Sequence, residues 1–380
     1  MFRSGSTLSL PQSRPAVSRR NFLKRLAVAG VGAGGGYFLY EYAPWLNYEM
    51  QAALERRPLQ VDSSRFAPMT ELVRYATLAA NGHNTQPWKF AIRDNAIEIH
   101  PDYSRGLSTV DPNDRELWIS LGCALENLIV AARAAGYATE VAYPVTADLI
   151  HVQLTSDKLQ ASPIFDAIRF RQNIRSEHDG RIIPNADLTL LHATPLEPGI
   201  TLRFLETPAE RETMLEYVRQ GDLSQYADSA FEAELVHWLR FNKREAMTSL
   251  DGLYARCSGN PETPRWLGRM FVAGTKPRQQ ADTDVKKLRS SPGAVVVASL
   301  SEDRTSWVRA GQVYERLALG MTALNIKSAF LNQPIEVPTL RGQFQIALGL
   351  STSHPQLLVR FGYAASMPRS LRRPVDQVLL

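Results

Sequence analysis

The strongest constraint on the fold is a helical stripe that begins behind Asp111-Pro112. Leu117, Leu121, Leu125, Leu128 and Ala132 recur at the three-and-four spacing of one helix face. Gly136 supplies a stop, and residues 141–143 read as a short apolar strand. A similar order returns in the C-terminal half, where Val313, Leu317, Gly320 and Leu324 share one side of a helix over 312–324. There is no strict repeat, but the shared order hints at an old duplication.

The other elements fill in around these two helices. Residues 70–79 read as a helix that Thr70 caps, and 88–93 and 96–100 alternate around Asp94-Asn95 as a hairpin. Residues 149–154, 294–299 and 356–361 read as strands, and 164–170 and 340–348 as helices. This is an α+β chain with an N-terminal half at 49–160 and a C-terminal half at 161–380. Residues 206–285 interrupt the second half, with helices over 212–219 and 231–247 and aromatic cover from Trp238, Phe241, Trp266 and Phe271. The plain expectation is an extra helical layer with its own small core; the sharper one is a lid over a bound ligand.

Charge narrows the function classes. The net charge is +5. Arg3, Arg14, Arg19, Arg20, Lys24 and Arg25 precede the first acid, Glu41, which leaves 37 basic against 38 acidic groups for the rest of the chain. A nearly neutral body argues against nucleic-acid binding. Cys123 and Cys257 form no metal-binding spacing, and one bridge between them is the only disulfide available. The seven His residues are scattered, without metal-ligand spacing.

Residues 1–48 read as a leader. Ser18-Arg19-Arg20-Asn21-Phe22-Leu23-Lys24 matches the twin-arginine pattern S-R-R-x-F-L-K, and an apolar stretch follows over 26–40. The expectation is export of a folded protein by the twin-arginine machinery to the periplasm. No A-x-A cleavage site closes the stretch, so an uncleaved leader acting as an inner-membrane tether is the second outcome. Gly30-Val31-Gly32-Ala33-Gly34-Gly35 fits G-x-G-x-x-G, but no strand precedes it, so it is no dinucleotide fingerprint.

Four segments carry candidate chemistry. Arg171 and Arg175, four apart near a helix start, suit one phosphate together, with Gln172 and Asn173 between them. Spacing alone describes a wet helix face equally well. Asn84 and Gln86 carry amides in a turn set by Pro87. Pro334, Ile335 and Glu336 lie in a loop whose backbone amides could face a ring nitrogen, and Arg372 and Arg373 lie in a basic tail. His83 reads as a structural turn residue.

Together and in order, these segments resemble the nitroreductase family. His83-Asn84-Thr85-Gln86-Pro87-Trp88 is similar to its S-x-N-x-Q-P-W segment, and Arg171-Gln172-Asn173-Ile174-Arg175 to its phosphate-holding R-R-S-x-R segment. Gln333-Pro334-Ile335-Glu336 resembles the loop that packs on the flavin ring, and Arg372-Arg373-Pro374 the closing basic motif. Two departures stand out: Gln172-Asn173 replaces R-S, and Val337 stands where Gly often follows. Family members usually carry the Arg segment first and share flavin between two chains; here the order is reversed. That fits the Acg-like subgroup, which Asp111-Pro112-Asn113-Asp114-Arg115-Glu116-Leu117 and Glu315-Arg316-Leu317-Ala318-Leu319 also resemble. The resemblance implies FMN as cofactor, a mainly antiparallel sheet flanked by helices, and a tandem pseudo-dimer that is monomeric. It implies an oxidoreductase passing electrons through flavin N5 to a quinone or nitroaromatic type of acceptor, with electron donor unidentified. The alternative is a protein that stores or sequesters FMN without turnover.

Overall fold

A computed structural model describes residues 47–60, 68–143, 145, 147–160 and 162–380. Most of the expected leader, including the Ser18–Lys24 segment, lies outside the described residues.

The first half opens with helices α1 (Tyr48–Glu55) and α2 (Met69–Ala76). Strands β1 (Trp88–Arg93) and β2 (Ala96–Pro101) form the expected hairpin, pairing Arg93 with Ala96 around Asp94-Asn95. The 20-residue helix α3 (Arg115–Ala134) and strands β3 (Tyr137–Ala142) and β4 (Ile150–Ser156) complete it. The second half begins with α4 (Pro163–Ile168), α5 (Asn185–His192) and β5 (Ile200–Leu205). An insertion follows: α6 (Pro208–Gln225), α7 (Ser229–Trp238), β6 (Leu239–Arg240), α8 (Lys243–Ser249), β7 (Leu253–Tyr254), α9 (Arg265–Ala273) and α10 (Pro277–Arg289). The chain then continues with β8 (Gly293–Ser299), the 20-residue α11 (Arg304–Ala323), β9 (Lys327–Phe330), α12 (Gln333–Glu336), α13 (Pro338–Ala347), β10 (His354–Gly362) and α14 (Val375–Val378).

The duplication that the sequence only hinted at is plain in the topology. Each half runs strand, strand, long helix, strand, strand. The sheets have orders β1-β2-β4-β3 and β5-β8-β10-β9, all pairs antiparallel, so the spatial order is the same in both. The insertion replaces the hairpin turn of the first half. The long helices correspond residue by residue: Asp114-Arg115, Trp118, Ile119, Gly122, Glu126 and Leu128 match Asp303-Arg304, Trp307, Val308, Gly311, Glu315 and Leu317. Both helices are followed by a left-handed residue, Gly136 at φ 84° and Asn325 at φ 60°.

The two long helices cross at their eighth residues. A Cβ on Gly122 would lie 2.0 Å from the Val308 carbonyl oxygen, and one on Gly311 would lie 2.0 Å from that of Ile119. Cys123 Sγ donates to the Gly311 carbonyl at 3.4 Å beside this crossing. α3 is long and apolar enough to cross a membrane, yet nearly all of it is buried inside the protein. One apolar cluster runs through both sheets and both long helices, from Leu72 and Phe90 to Val295 and Phe361, so the halves share a core. The C-terminus closes back on the first half, where the Leu380 amide donates to the Phe90 carbonyl at 2.8 Å.

Several expectations change. Pro68, not Thr70, precedes the first turn of α2, because its φ of −56° and missing N–H suit a helix start. The helix expected over 231–247 breaks at Trp238: Leu239-Arg240 pairs with Leu253-Tyr254, and Asn242 then caps α8 by accepting from the Glu245 amide. α11 starts at Arg304, ahead of residue 312, because Asp303 caps it by accepting from the Ser306 amide. The Pro334 loop is instead a short helix with Pro near its first position. The insertion has no core of its own. Met214, Leu215 and Val218 pack with Val296, Ile335 and Leu358, while Phe231 and Trp238 pack with Leu107 and Val110.

Candidate functional site

A cavity of about 290 Å³ lies between the two halves and under the insertion. Its walls come from the 80–84 turn, the first turns of α3, the 171–175 segment, residues 329–336 and the C-terminal segment 368–372. The insertion adds α6, α7 and α10. Ile119, Ala329, Phe330, Leu331 and Leu357 provide apolar surface between two strongly charged ends.

One end is cationic. Arg56, Arg171, Arg369 and Arg372 converge there, and Glu55 and Glu315 are the carboxylates among them. Arg171 Nε meets Glu315 Oε1 at 2.8 Å, both side chains buried. Burial pulls the Arg171 pKa down, but Glu315 outweighs it and the net shift is upward. The others go the opposite way. Burial and the neighbouring Arg56 and Arg171 push Arg372 down to about 9 and Arg369 to about 10, and Arg56 is lowered too. Cations that depress one another inside a protein favour an anion beside them. Arg369 is the most available of them. Among the described residues its guanidinium makes one hydrogen bond, to the Arg169 carbonyl at 2.7 Å.

Arg372 acts chiefly as an organiser. Its side chain donates to the carbonyls of Thr77 (2.8 Å) and Ala79 (3.3 Å) and to Asn84 Oδ1 (2.7 Å), tying the end of α2 to the turn. That turn is strained: His83, Asn84 and Gln86 all have φ near +50°, at a cost of about 1–3 kcal/mol each. Its amides hold it in place. Asn84 Nδ2 donates to the Gly252 and Leu371 carbonyls, and Gln86 Nε2 to the Leu250 carbonyl, while Gln86 Oε1 accepts from the Arg373 amide.

The opposite end is acidic. Glu116, Asp222, Asp284 and Glu336 face it, with Lys287 and Arg360 nearby. Burial and then Glu116 raise Glu336 well above the usual carboxyl range, and burial raises Glu116. His83, half-buried in the wall, is pushed down to about 4 by enclosure and by Arg175, so it is a neutral imidazole at neutral pH.

Of the residues singled out from sequence, Asn84, Arg171, Gln172, Asn173, Arg175, Glu336 and Arg372 reach the cavity. Gln86, Pro87, Pro334, Ile335 and Arg373 do not line it. Arg373 instead donates to the Gln86 and Trp88 carbonyls, and Ile335 is buried in the second core cluster. Gln172 clamps the C-terminal segment through Met367 and Pro368. Arg171 and Arg175 face different protein groups. The 171–175 segment is not helical; Arg171 faces Glu315, whereas Arg175 is exposed and acts on His83 and Arg360. Cys123 and Cys257 are both free thiols. Sequence reading missed Arg56, Asp222 and Asp284, which sit among other charges on helices and look solvated there.

At the position that the duplication makes equivalent to Glu315, Glu126 is held at 2.8 Å by Arg316, which also meets Glu197 at 2.8 Å.

No protein-family model matches the chain. Over 350 residues, 87% of this chain and 97% of the relative, it is 27% identical to a Mycobacterium tuberculosis protein named "Putative NAD(P)H nitroreductase". A second nitroreductase of that name from the same organism, acg, is 25% identical over 326 residues, covering 80% of this chain and 93% of the relative. Among solved structures, the FMN-dependent nitroreductase NfnB of Mycobacterium smegmatis, in complex with NADPH, is 14% identical. It covers 57% of this chain and 96% of that chain with a TM-score of 0.37. A nitroreductase with bound FMN from Bacteroides fragilis is 17% identical, covering 54% and 90% with a TM-score of 0.32. The near full-length sequence similarity is thus to proteins named as nitroreductases, acg among them.

Proposed function

We propose that the chain is an exported flavoprotein that holds one FMN in this cavity and passes its electrons to a quinone or nitroaromatic acceptor. The observation that carries the reading is the crowding of Arg56, Arg171, Arg369 and Arg372 against too few carboxylates, with an apolar stretch beside them. A phosphate dianion would suit the charge of that corner, and Arg369 and Arg171 would be among the residues that hold it. Ile119, Phe330 and Leu331 suit the flat ring. When bound, the flavin supplies the redox chemistry; the chain orients it and excludes water with α6 and α7.

Purified protein is expected to be yellow and to release about one FMN per chain on denaturation. A colourless protein that cannot be reconstituted with FMN would overturn the reading. The bound flavin, once reduced, should be reoxidised by quinones or nitroaromatics with saturable rates; inert flavin would leave FMN storage as the function. Export rests on Ser18-Arg19-Arg20-Asn21-Phe22-Leu23-Lys24. Replacing Arg19 and Arg20 by lysine should trap the protein in the cytoplasm, which fractionation reads directly; unchanged distribution would reject the twin-arginine route.

A further inference from the structure

The acidic end of the cavity contains a carboxyl group whose surroundings do not match a plain charged residue. Asp222, on α6, is completely buried, and its Oδ2 has no hydrogen-bond partner among the described residues. It lines the cavity. Its other oxygen, Oδ1, accepts from Gln333 Nε2 at 3.1 Å, and the same nitrogen donates to Asp284 Oδ2 at 3.2 Å. One amide thus bridges two carboxyl groups. Gly221 permits this approach, since a Cβ there would lie 2.6 Å from Gln333 Cβ.

The two carboxyl groups are not equivalent. Asp284 has a cation, Lys287 Nζ at 2.8 Å, and a further donor in Gln280 Nε2 at 2.9 Å. Asp222 has neither. Two buried carboxylates so close do not both ionise readily, and the one without a cation keeps the proton. Burial, then Asp284, pushes the Asp222 pKa up to about 8. The surrounding groups agree. Tyr226, one turn along α6, is held neutral by burial and by these two acids, and Glu336 on α12 is itself raised by burial. Arg360 on β10 and Arg175 lie beyond Asp284 and Tyr226, and the Arg360 guanidinium binds His178 Nδ1 and the Ser176 carbonyl.

We propose that Asp222 is a proton-holding residue whose free oxygen donates a hydrogen bond to a carbonyl or nitro oxygen of the second ligand in the cavity. The ligand class is a planar, uncharged molecule with an oxygen acceptor at its edge, seated against the apolar wall with that oxygen toward Asp222. This rests on the proposed function only for the name of the ligand class; the donor geometry belongs to the chain alone. No bond is made or broken in recognition, and the proton stays on Asp222 until the group ionises. Ionisation replaces the donor by a negative charge facing the ligand's lone pairs, so binding weakens as pH rises through the Asp222 pKa.

The test is calorimetric binding of menadione, whose oxygens accept but cannot donate, to the purified oxidised protein without any reductant. Affinity should fall about tenfold between roughly pH 6 and pH 10, the loss of one buried hydrogen bond. Asp222→Asn keeps the Gln333 contact and an N–H donor, so it should bind within about twofold of wild type at the lower pH and lose the part of the pH dependence that Asp222 supplies. Asp222→Ala should bind about tenfold more weakly at both pH values. Arg372, depressed to about 9 at the far end, could also titrate here, but its contribution would survive in Asp222→Asn. Equal wild-type affinity at both pH values, or a pH dependence as steep in Asp222→Asn as in wild type, overturns the proposal. Flavin content is measured on the same samples. Protein lacking FMN that still binds menadione in this proton-dependent way sinks the cofactor reading alone; flavin-loaded protein with pH-independent binding sinks the Asp222 proposal alone.

Discussion

Alanine at Gly122 or Gly311 is expected to destabilise the protein by at least about 3 kcal/mol, the upper range for overpacking a tight core. Each new methyl would start 2.0 Å from a carbonyl oxygen of the opposite long helix, and the obstacle is backbone, which cannot rotate away. Separating the helices would strip contacts from the cluster that joins both sheets. The double variant should not fold. Gly342 in α13 is the control: no atom lies within 4 Å of its would-be Cβ, and alanine there should be neutral or stabilising by about 1 kcal/mol. Urea unfolding of the three single variants checks this. A Gly122→Ala protein as stable as Gly342→Ala would mean that the helices do not cross at these residues.

The same pair shows what was legible in the sequence. The stripe from Leu117 to Ala132 identified α3, because almost the whole helix is buried and apolar residues dominate it. The second long helix was seen only from Gln312. Its first turns carry Arg304, Ser306 and Arg309, whose polarity hid the match to Arg115, Trp118 and Gly122. Aligning the helices on Asp-Arg-x-x-Trp would have revealed both the repeat and the crossing glycines. The strands were legible where burial alternates or is complete, as in β1 and β8. The insertion was legible only in part: residues 212–219 fall inside α6, but the full length of α6 and all of α10 were missed, because both alternate exposed charges with a few buried groups.

The site was legible in part for a similar reason. Sequence motifs brought Asn84, Arg171 and Arg372 to one place, and the structure puts all three on the cavity wall. What motifs could not convey is the direction of each donor. The amides of Asn84, Gln86 and Gln172 looked like ligand contacts, but they bind protein carbonyls across hundreds of residues of chain. A strained turn with three left-handed residues needs such partners, and that need took the amides first. Asp222 and Asp284 were invisible because their separation in sequence concealed the shared Gln333 amide.

In the proposed reading Arg171 joins stability to cofactor binding, and its replacement should have the second large effect. Arg171→Met leaves Glu315 fully buried with its counter-charge gone, which typically costs about 3–5 kcal/mol. Glu315 retains the Ala80 amide at 3.2 Å, so the loss should fall short of complete unfolding. The pH dependence has a definite sign. Burial already raises the Glu315 pKa against the pull of Arg171, and without Arg171 it should rise further. A carboxyl whose folded pKa exceeds its unfolded value of about 4.3 destabilises increasingly as pH climbs from the unfolded to the folded value. Arg171→Met should therefore be more stable near pH 5 than near pH 8. Arg171→Met with Glu315→Met removes the stranded charge and should recover most of the stability. It should not recover the cofactor, because the cationic end has lost one of its four guanidinium groups. Denaturant unfolding and released FMN, measured on both variants, separate the two roles. A double variant that regained stability and FMN together would show that Arg171 serves only to neutralise Glu315.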